Sequence, residues 1–455
     1  MTEAPAQAHP RVAAAPAARV RRIAPAALAL LGTTYVALAV LWAEEGSNVV
    51  PATTGGSPGW LLGPLRPLGA AFADGGLGGP LFYAGLWIAL VAWCVVLAHA
   101  RELGTRAVAG AIVAAHVLFL LAPPLLSQDV FSYISYARLD VVHGLDPYTH
   151  SPSDVPGDAA FAYAGSKDFT SVYGPLFTVA TFPLANLGVP AAFWALKVVA
   201  VLASLGIVGL VWWCARRLGH DPRMPAVLVG LNPLVLVHVV GGAHNDALTV
   251  LLWMGGVAAL LASRELVAGA LTAASGAVKV SAAVLGPFML IGARRRGALL
   301  IGAALGALLA VAVAVAAFGD NALEAFALLG DNQDRTSHWS VPQRTADAVA
   351  ALTGGSAADL VDYTRAVLGV ALVVAVVLLL RAAWRRRAAP GGWIAPAGWA
   401  TLGALLTTAW LVPWYAIWLL PLAALGSDRR LVVASVAFCA YMMVIAVPLE
   451  PFSPY

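Results

Sequence analysis

The residue best placed to do chemistry is Asp129, which directly follows a long apolar stretch ending near Leu126. Charged groups at the edge of a membrane are costly and persist mainly where they face a wet cavity or a substrate. The carboxylate is therefore either an interfacial cap at a helix end or a general base that takes a proton from an acceptor hydroxyl. The residues alone leave both interpretations open.

Several basic side chains interrupt apolar stretches in the same way and could hold an anion such as a phosphate. The planar guanidinium of Arg138 suits two phosphate oxygens, although the side chain could instead snorkel or pair with Asp140 or Asp129. Lys279 stands in the middle of an apolar stretch, where it either marks a turn or meets an anion. The basic candidates for holding a phosphate are Arg138, His244, Lys279 and Arg344.

Further polar and aromatic residues fall at the same predicted junctions, and each also has a structural interpretation. Asn245 and Asp246 precede a span and would serve equally well as a helix N-cap. Most tyrosines and tryptophans belong to the aromatic belts of a membrane protein. A metal at His244 and Asp246 is the weaker interpretation, because two ligands do not define a coordination set. We predict no cofactor; a divalent ion is compatible with the sequence but not implied by it.

Composition indicates that these residues belong to a helical membrane protein with many spans. Of the 455 residues, 60% are hydrophobic and 11% charged, and the mean hydropathy is +0.82. The net charge of +4 comes from short basic clusters between apolar stretches, which indicates topology and no nucleic-acid partner. Three cysteines lie far apart in apolar stretches and support neither a disulfide nor a zinc site.

Basic clusters placed on the cytoplasmic side predict about thirteen crossings. Residues 127–189 then lie outside, with a juxtamembrane or re-entrant helix at 173–184. A single span is expected over 225–241, a pair of short helices turning near Lys279, and another pair turning around 412–415. The predicted protein is a multi-pass plasma-membrane protein with its N-terminus in the cytoplasm. It has a disordered cytoplasmic tail over 1–22 and a single transmembrane domain over 23–455, whose first span is not cleaved.

An ordered set of motifs resembles a known family along residues 25–448. These motifs are Ser127-Gln128-Asp129-Val130-Phe131-Ser132-Tyr133, Gly144-Leu145-Asp146-Pro147-Tyr148-Thr149-His150, Tyr173-Gly174-Pro175-Leu176, Asn232-Pro233-Leu234-Val235-Leu236, Gly241-Gly242-Ala243-His244-Asn245-Asp246-Ala247 and Pro413-Trp414-Tyr415. Together they resemble the actinobacterial polyprenol-phosphate-mannose-dependent α-1,6-mannosyltransferases of lipomannan and lipoarabinomannan synthesis, which belong to the GT-C superfamily of membrane glycosyltransferases. Relatives carry an Arg before the first Asp, where this chain has Gln128.

The resemblance implies an all-α GT-C fold with extracytoplasmic juxtamembrane helices and an outward-facing active site of cell-wall biosynthesis. It implies Asp129 as catalytic base, a mannosyl-phosphoryl-polyprenol donor, a glycolipid mannan acceptor and inversion at the anomeric carbon. Lys279, Arg138, His244 and Arg344 are then the candidates for the donor phosphate. The candidates for acceptor and sugar binding are Tyr133, Asp146, Asn245, Asp246, His338, Trp414 and Tyr415.

Two alternatives remain open from the sequence. An enzyme of the same fold using another polyprenyl-phosphate sugar would carry the same motifs. A polytopic transporter or lipid flippase would also show an intramembrane Lys279 and broken helices. The sequence shows no paired halves, and its polar clusters gather on one side of the predicted membrane, whereas an alternating-access path places them at the midplane.

Overall fold

A computed structural model describes residues 15–43, 58–70, 78–124, 126–323 and 336–446. Within these ranges every regular element is helical, which confirms the all-α prediction for the described part of the chain. The first helix begins at Ala15, inside the range predicted as a disordered tail, while residues 1–14 lie outside the described residues.

The principal α-helices are numbered here in chain order. They are α1 (Ala15–Trp42), α2 (Gly78–Ala98), α3 (Thr105–Leu121), α4 (Asp129–His143), α5 (Pro175–Thr181), α6 (Val189–Arg217), α7 (Arg223–Gly230), α8 (Asp246–Leu261), α9 (Glu265–Val278), α10 (Gly286–Gly292), α11 (Arg296–Phe318), α12 (Val341–Thr353), α13 (Ala357–Arg385), α14 (Ile394–Thr407), α15 (Ala416–Leu425) and α16 (Arg429–Ala446). Shorter segments join several of them, namely the 3-10 helices Phe182–Leu187, Val280–Leu285 and Pro413–Tyr415 and the π-helix Val235–Gly241.

The helices have the length and composition of a membrane protein. In the described part, five helices are long and apolar enough to cross a membrane, or six if one bent pair counts as a single span. Shorter apolar helices accompany them, among them α3, α8, α9 and α14. Apolar helices of this kind satisfy every backbone hydrogen bond internally, which the bilayer requires.

The chain breaks at both places where a pair of short helices was predicted. Helix α9 ends at Val278, Lys279 is extended, and the 3-10 helix Val280–Leu285 leads into α10. Near the C-terminal end of the chain, the 3-10 helix Pro413–Tyr415 stands between α14 and α15. Two of the predicted site regions therefore lie at breaks between helices, where side chains and backbone groups can face a cavity.

The segment expected to form a span over 225–241 is helical but bent. Helix α7 and the π-helix meet at an angle of 59°. The break falls at Asn232, whose side-chain oxygen accepts hydrogen bonds from the backbone N–H groups of Leu234 (2.9 Å) and Val235 (3.3 Å). Pro233 adds to the break because it has no N–H to donate.

Glycines allow α9 and α11 to pack with their backbones in close contact. A Cβ atom on Gly302 of α11 would lie 1.9 Å from the carbonyl oxygen of Leu266 on α9. A Cβ atom on Gly269 of α9 would lie 2.0 Å from the carbonyl oxygen of Leu299. Small residues at such seams bring membrane helices close together. This seam fixes the helix that ends just before Lys279.

Candidate active site

Asp129 is the first residue of α4, at the positive end of that helix's dipole, which favours a carboxylate there. Its side chain is 32% exposed, and one carboxylate oxygen lies 3.6 Å from Nε2 of the fully buried His244. Ser127 joins the two residues. Its hydroxyl accepts the backbone N–H of Asp129 (3.2 Å) and lies 3.1 Å from Nε2 of His244.

The contacts of His244 determine which of its nitrogens carries a proton. Nδ1 lies 2.6 Å from the carbonyl oxygen of His238, and a carbonyl can only accept. Nδ1 therefore carries the hydrogen, and in the neutral ring Nε2 accepts a hydrogen bond from the hydroxyl of Ser127. Neutral His244 consequently has no free N–H for a phosphate, which argues against the phosphate-binding role that the sequence suggested.

Asp246 and Lys279 form a buried ion pair. The Asp246 side chain is fully buried at the start of α8, and its two oxygens accept from Nζ of Lys279 at 2.9 and 3.0 Å. Nε1 of Trp418 donates to the same carboxylate at 2.7 Å. Lys279 therefore meets an anion, as the sequence suggested, but this anion is a protein carboxylate.

Asn245 occupies the N-cap position of α8, yet its side chain makes no capping hydrogen bond. Its backbone N–H donates to the hydroxyl of Tyr133 at 3.3 Å. The amide Nδ2 and Oδ1 atoms are buried with no partner in the described part of the chain. Buried amides normally find partners, so the hydrogen-bonding capacity of this side chain is unused within the described residues.

Aromatic rings surround the ion pair and His244. Trp414 stacks on the His244 ring with centroids 3.9 Å apart, and Tyr415 stacks on Trp418 at 4.1 Å. Nζ of Lys279 lies 4.8 Å from the centroid of Tyr415 and 5.3 Å from that of Trp418. One face of both predicted sugar-stacking rings is thus covered by protein, and cation–π contacts hold the ammonium group in place.

Tyr133 lies one helical turn after Asp129 and is buried, with its ring edge-to-face against Tyr173 at 4.8 Å. The next residue, Gly174, donates its backbone N–H to the carbonyl of Val278 at 3.1 Å. A Cβ atom on Gly174 would lie only 2.1 Å from the carbonyl oxygen of Ala277. The Tyr-Gly-Pro turn therefore fits against the end of α9 and links Tyr133 to the residue before Lys279.

Arg138 lies nine residues after Asp129 on α4, which places it about 13 Å further along the helix axis at a rise of about 1.5 Å per residue. Its Nε donates to both oxygens of the Asp158 carboxylate (2.9 and 3.0 Å), and Nη2 donates to one of them (2.9 Å). Nη1 donates to the carbonyl oxygen of Ala185 (2.8 Å). His143 joins the same carboxylate at 2.7 Å. Burial would raise the pKa of Asp158, but the hydrogen bonds from Arg138 and His143 lower this pKa to about 2. Arg138 thus pairs with neither Asp129 nor Asp140 in these contacts; it anchors the loop that follows α4.

Arg344 and His338 form a separate cluster. Arg344 pairs with Asp347 at 3.0 Å, lies 4.9 Å from the ring centroid of Trp339 and reaches Nε2 of His338 at 3.4 Å. The neighbouring Ser337 donates to the carbonyl of Leu411 at 3.0 Å, so this cluster packs beside the chain that leads into Trp414.

Asp146 shapes the loop after α4. One of its side-chain oxygens accepts the backbone N–H of Tyr148 at 2.8 Å, and the other is buried with no partner in the described residues. The hydroxyl of Tyr148 in turn donates to the carbonyl of Tyr173 at 2.8 Å. The motif that contains Asp146 therefore supports the Tyr-Gly-Pro turn.

Eight of the twelve predicted residues lie together at the site, whereas Arg138, Asp146, His338 and Arg344 lie apart. The eight are Asp129, Tyr133, His244, Asn245, Asp246, Lys279, Trp414 and Tyr415. Three contributors had no predicted role: Ser127, Tyr173 and Trp418. The first two stand inside the quoted motifs. Trp418 follows Tyr415 by three residues, the spacing that places two side chains on one helix face.

In the described part of the chain, no group of three or more His, Cys, Asp and Glu side chains is arranged to hold a metal ion. The ring of His244 contacts Ser127 and a backbone carbonyl, and the carboxylate of Asp246 binds Lys279.

Comparison with known proteins reveals the family. The family described as "Alpha-(1->6)-mannopyranosyltransferase, N-terminal domain" matches residues 26–295. Alpha-(1->6)-mannopyranosyltransferase A of Mycobacterium tuberculosis is 31% identical over 400 residues, which cover 81% of this chain and 75% of the relative. A probable alpha-(1->6)-mannopyranosyltransferase of Mycolicibacterium smegmatis is 29% identical over 68% of this chain and 63% of that protein.

Alpha-(1->6)-mannopyranosyltransferase A of Corynebacterium glutamicum is 29% identical over 38% of this chain and 36% of its own length. No solved structure matches the chain significantly. The matched region contains Asp129, His244, Asp246 and Lys279. The family match covers more than half of the chain, and the alignment with the Mycobacterium tuberculosis enzyme covers three quarters of that enzyme. This chain therefore belongs to the alpha-(1->6)-mannopyranosyltransferase family.

Proposed function

We propose that the protein transfers mannose from a polyprenyl-phosphate-mannose donor to a mannan acceptor of the lipomannan type and forms α-1,6 linkages. The reaction takes place on the extracytoplasmic face of the plasma membrane, in a GT-C fold with about thirteen transmembrane helices. Family membership supports the mannosyl transfer, and the apolar helices support a lipid donor that stays in the bilayer.

The observation that carries the mechanism is the partly exposed carboxylate of Asp129 beside a set of buried polar residues. Asp129 takes the proton from the acceptor hydroxyl, whose oxygen forms a bond to the anomeric carbon. The bond from that carbon to the phosphate oxygen breaks, and its electron pair leaves with the polyprenyl phosphate. Such a single displacement needs one base and no acid, because the leaving group departs as an anion.

Inversion sets the configuration of the donor. A single displacement at the anomeric carbon reverses its configuration, so an α-linked product requires a β-linked mannosyl phosphate. The acceptor hydroxyl then approaches from the face opposite the phosphate. Asp129 must therefore lie on the acceptor side of the sugar, and the cationic groups must lie on the phosphate side.

Lys279 is the proposed cation closest to the leaving phosphate. Its Nζ shares the Asp246 carboxylate, and its side chain is still 18% exposed. Preorganised charge aimed at the leaving group stabilises the transition state without reorganisation. Arg344, which is 43% exposed, is the proposed second cation. Arg138, engaged by Asp158, takes a structural role in this proposal.

The acceptor is proposed to bind beside the amide of Asn245 and the rings of Trp414 and Tyr415. Asp246 contributes by orienting Lys279, and Tyr133 by orienting the backbone of Asn245. His338 and Asp146 lie on segments that pack beside Trp414 and Tyr173, where longer acceptor chains would pass.

A donor panel tests this function. The full chain in nanodiscs is incubated with radiolabelled mannosyl-, glucosyl- or arabinosyl-phosphoryl-polyprenol and a synthetic α-1,6-oligomannoside, without an ion gradient. We expect transfer from the mannosyl donor only, with an α-1,6 product. Transfer from another donor alone would refute the sugar assignment. Inactivity with all three donors would refute the glycosyltransferase assignment and favour a transporter.

A further inference from the structure

Lys197 is buried inside helix α6 and is not part of the proposed reaction. Its side chain is fully buried, and it stands about two turns from the start of the helix. Its ammonium group points into the protein. A charged group is costly inside a membrane protein and is retained mainly where it binds specific partners.

The contacts of Lys197 are backbone carbonyls and aromatic rings. Nζ donates to the carbonyl oxygen of Ala122 and lies 3.4 Å from that of Pro123. The rings of Trp194 and Phe193, on the same helix, have their centroids 5.4 and 5.9 Å from Nζ. Within the described residues, no carboxylate forms an ion pair with this lysine.

The carbonyls bound by Lys197 lie where α3 ends. Ala122 is the C-cap of that helix, so its carbonyl is one of the acceptors that a helix leaves without a partner. The negative end of the helix dipole adds to the attraction for a cation. Lys197 therefore fixes the position at which the chain leaves α3.

The chain that leaves α3 leads directly to the active site. After Pro123 and Pro124 it passes through Leu126, which has a positive φ of 57°, a conformation that costs about 1 kcal/mol or more for a branched residue. The next residue is Ser127, which bonds to both His244 and the backbone of Asp129. A strained segment of this kind keeps its shape only if its ends are held.

We propose that Lys197 is a positioning residue that binds the carbonyls of Ala122 and Pro123, where the chain leaves α3, so that Ser127 and Asp129 face His244. Lys197 touches no substrate in this proposal. It acts by binding the carbonyls at the start of the segment, while Ser127 binds at its end. The activity readout rests on the function proposed above, whereas the readout of segment dynamics does not.

Lys197→Met is the first test variant, because methionine fills the same apolar volume and removes the donor. Because no carboxylate of the described residues pairs with Lys197, the variant leaves no buried charge without compensation and is expected to remain folded. Hydrogen–deuterium exchange is measured on the full-length chain in nanodiscs. Peptides that cover residues 122–131 are expected to exchange about tenfold faster than in the wild type, while peptides from α9 and α11 stay unchanged.

Turnover supplies the second readout. A misplacement of about 1 Å at a reacting group can cost about 100-fold in rate, so we expect kcat to fall by about 10- to 100-fold with KM for the donor nearly unchanged. Combined with Ser127→Ala, the loss is expected to be smaller than the product of the two single losses, because both residues hold one segment. Lys167→Met, which removes a lysine above the ring of Phe161, is the control and should leave both readouts unchanged.

Two outcomes would overturn the proposal. One is a folded Lys197→Met protein with wild-type exchange over residues 122–131, whatever its activity. The other is faster exchange with unchanged kcat, which would leave Lys197 a purely structural group. If Lys197→Met does not fold, Lys197→Gln, which keeps a donor one bond shorter, is measured in the same way with an intermediate effect expected. A wild type inactive with every donor refutes the proposed function, and the exchange experiment still decides the role of Lys197.

Discussion

Replacing Lys279 by methionine tests how the buried charges of the site are balanced. The Asp246 carboxylate is fully buried, and its two oxygens accept from Lys279 at 2.9 and 3.0 Å. In the Lys279→Met protein, the Trp418 N–H at 2.7 Å would be the one donor of the described residues left on that carboxylate. Breaking a buried ion pair by removing one partner costs about 3–5 kcal/mol, because a buried charge is left without compensation. We expect a loss of that size in the free energy of unfolding.

The double variant Lys279→Met with Asp246→Asn distinguishes this explanation from simple loss of packing. The asparagine carries no charge and can still accept from Trp418, while the methionine fits beside the apolar rings. We expect the double variant to be more stable than the sum of the two single losses predicts, by about 1.5 kcal/mol or more. Lys167→Met, at a lysine without a buried carboxylate partner, should change stability by no more than about 0.5 kcal/mol.

The assay is a titration of the purified protein in mixed micelles with a denaturing detergent, followed by tryptophan fluorescence and far-UV circular dichroism. Coincident transitions from the two signals would justify a two-state free energy. Additive losses in the double variant, or a loss below about 1 kcal/mol in Lys279→Met, would refute the assigned ion pair.

Three further predictions concern the elements that support the site. Gly174→Ala places a Cβ atom 2.1 Å from the carbonyl oxygen of Ala277, so we expect a loss of at least about 2 kcal/mol in the free energy of unfolding and a lower kcat. A wild-type melting curve for this variant would contradict the close contact. The ion pair of Asp158 with Arg138 stabilises the protein fully above the ordinary carboxyl pKa near 4, and this stabilisation is lost as the pH falls through the lowered pKa of about 2. The difference in unfolding free energy between the wild type and Asp158→Asn should therefore be larger at pH 7 than at pH 2.5. An equal difference at the two pH values would contradict the ion pair. Gly302→Val should separate α9 from α11 and prevent folding, and normal expression of a folded variant would contradict the packing of this seam.

The helix pairs near Lys279 and around 412–415 could be predicted because their apolar stretches are bounded by basic clusters that must lie on one side. A single crossing cannot satisfy both ends, so the chain has to turn between them. The break at Asn232 could not be predicted in the same way. The apolar stretch around it is long enough for one span, and only the folded chain shows that the Asn232 side chain binds the next two backbone N–H groups.

Residue types and motifs identified most of the site residues but not their partners. Asp129, His244 and Lys279 were predicted because polar groups within apolar stretches are costly in a membrane and persist mainly where they bind a partner or a substrate. The pairing of Arg138 with Asp158 depends on how the loop after α4 folds back, and the pairing of Lys279 with Asp246 depends on the packing of α8 against α9. Contacts between distant segments of this kind follow from tertiary structure, which local spacing does not specify.

The most direct test of the account is the initial rate of mannosyl transfer by Asp129→Asn beside the wild type, with Asp140→Asn, a carboxylate on the same helix, as the control. A positioned general base contributes about 100- to 10,000-fold to a rate. The account predicts that Asp129→Asn is folded, binds the donor and loses at least about 100-fold in kcat, while Asp140→Asn keeps most of its activity. An Asp129→Asn rate within about threefold of the wild type would contradict the central claim that this carboxylate is the catalytic base.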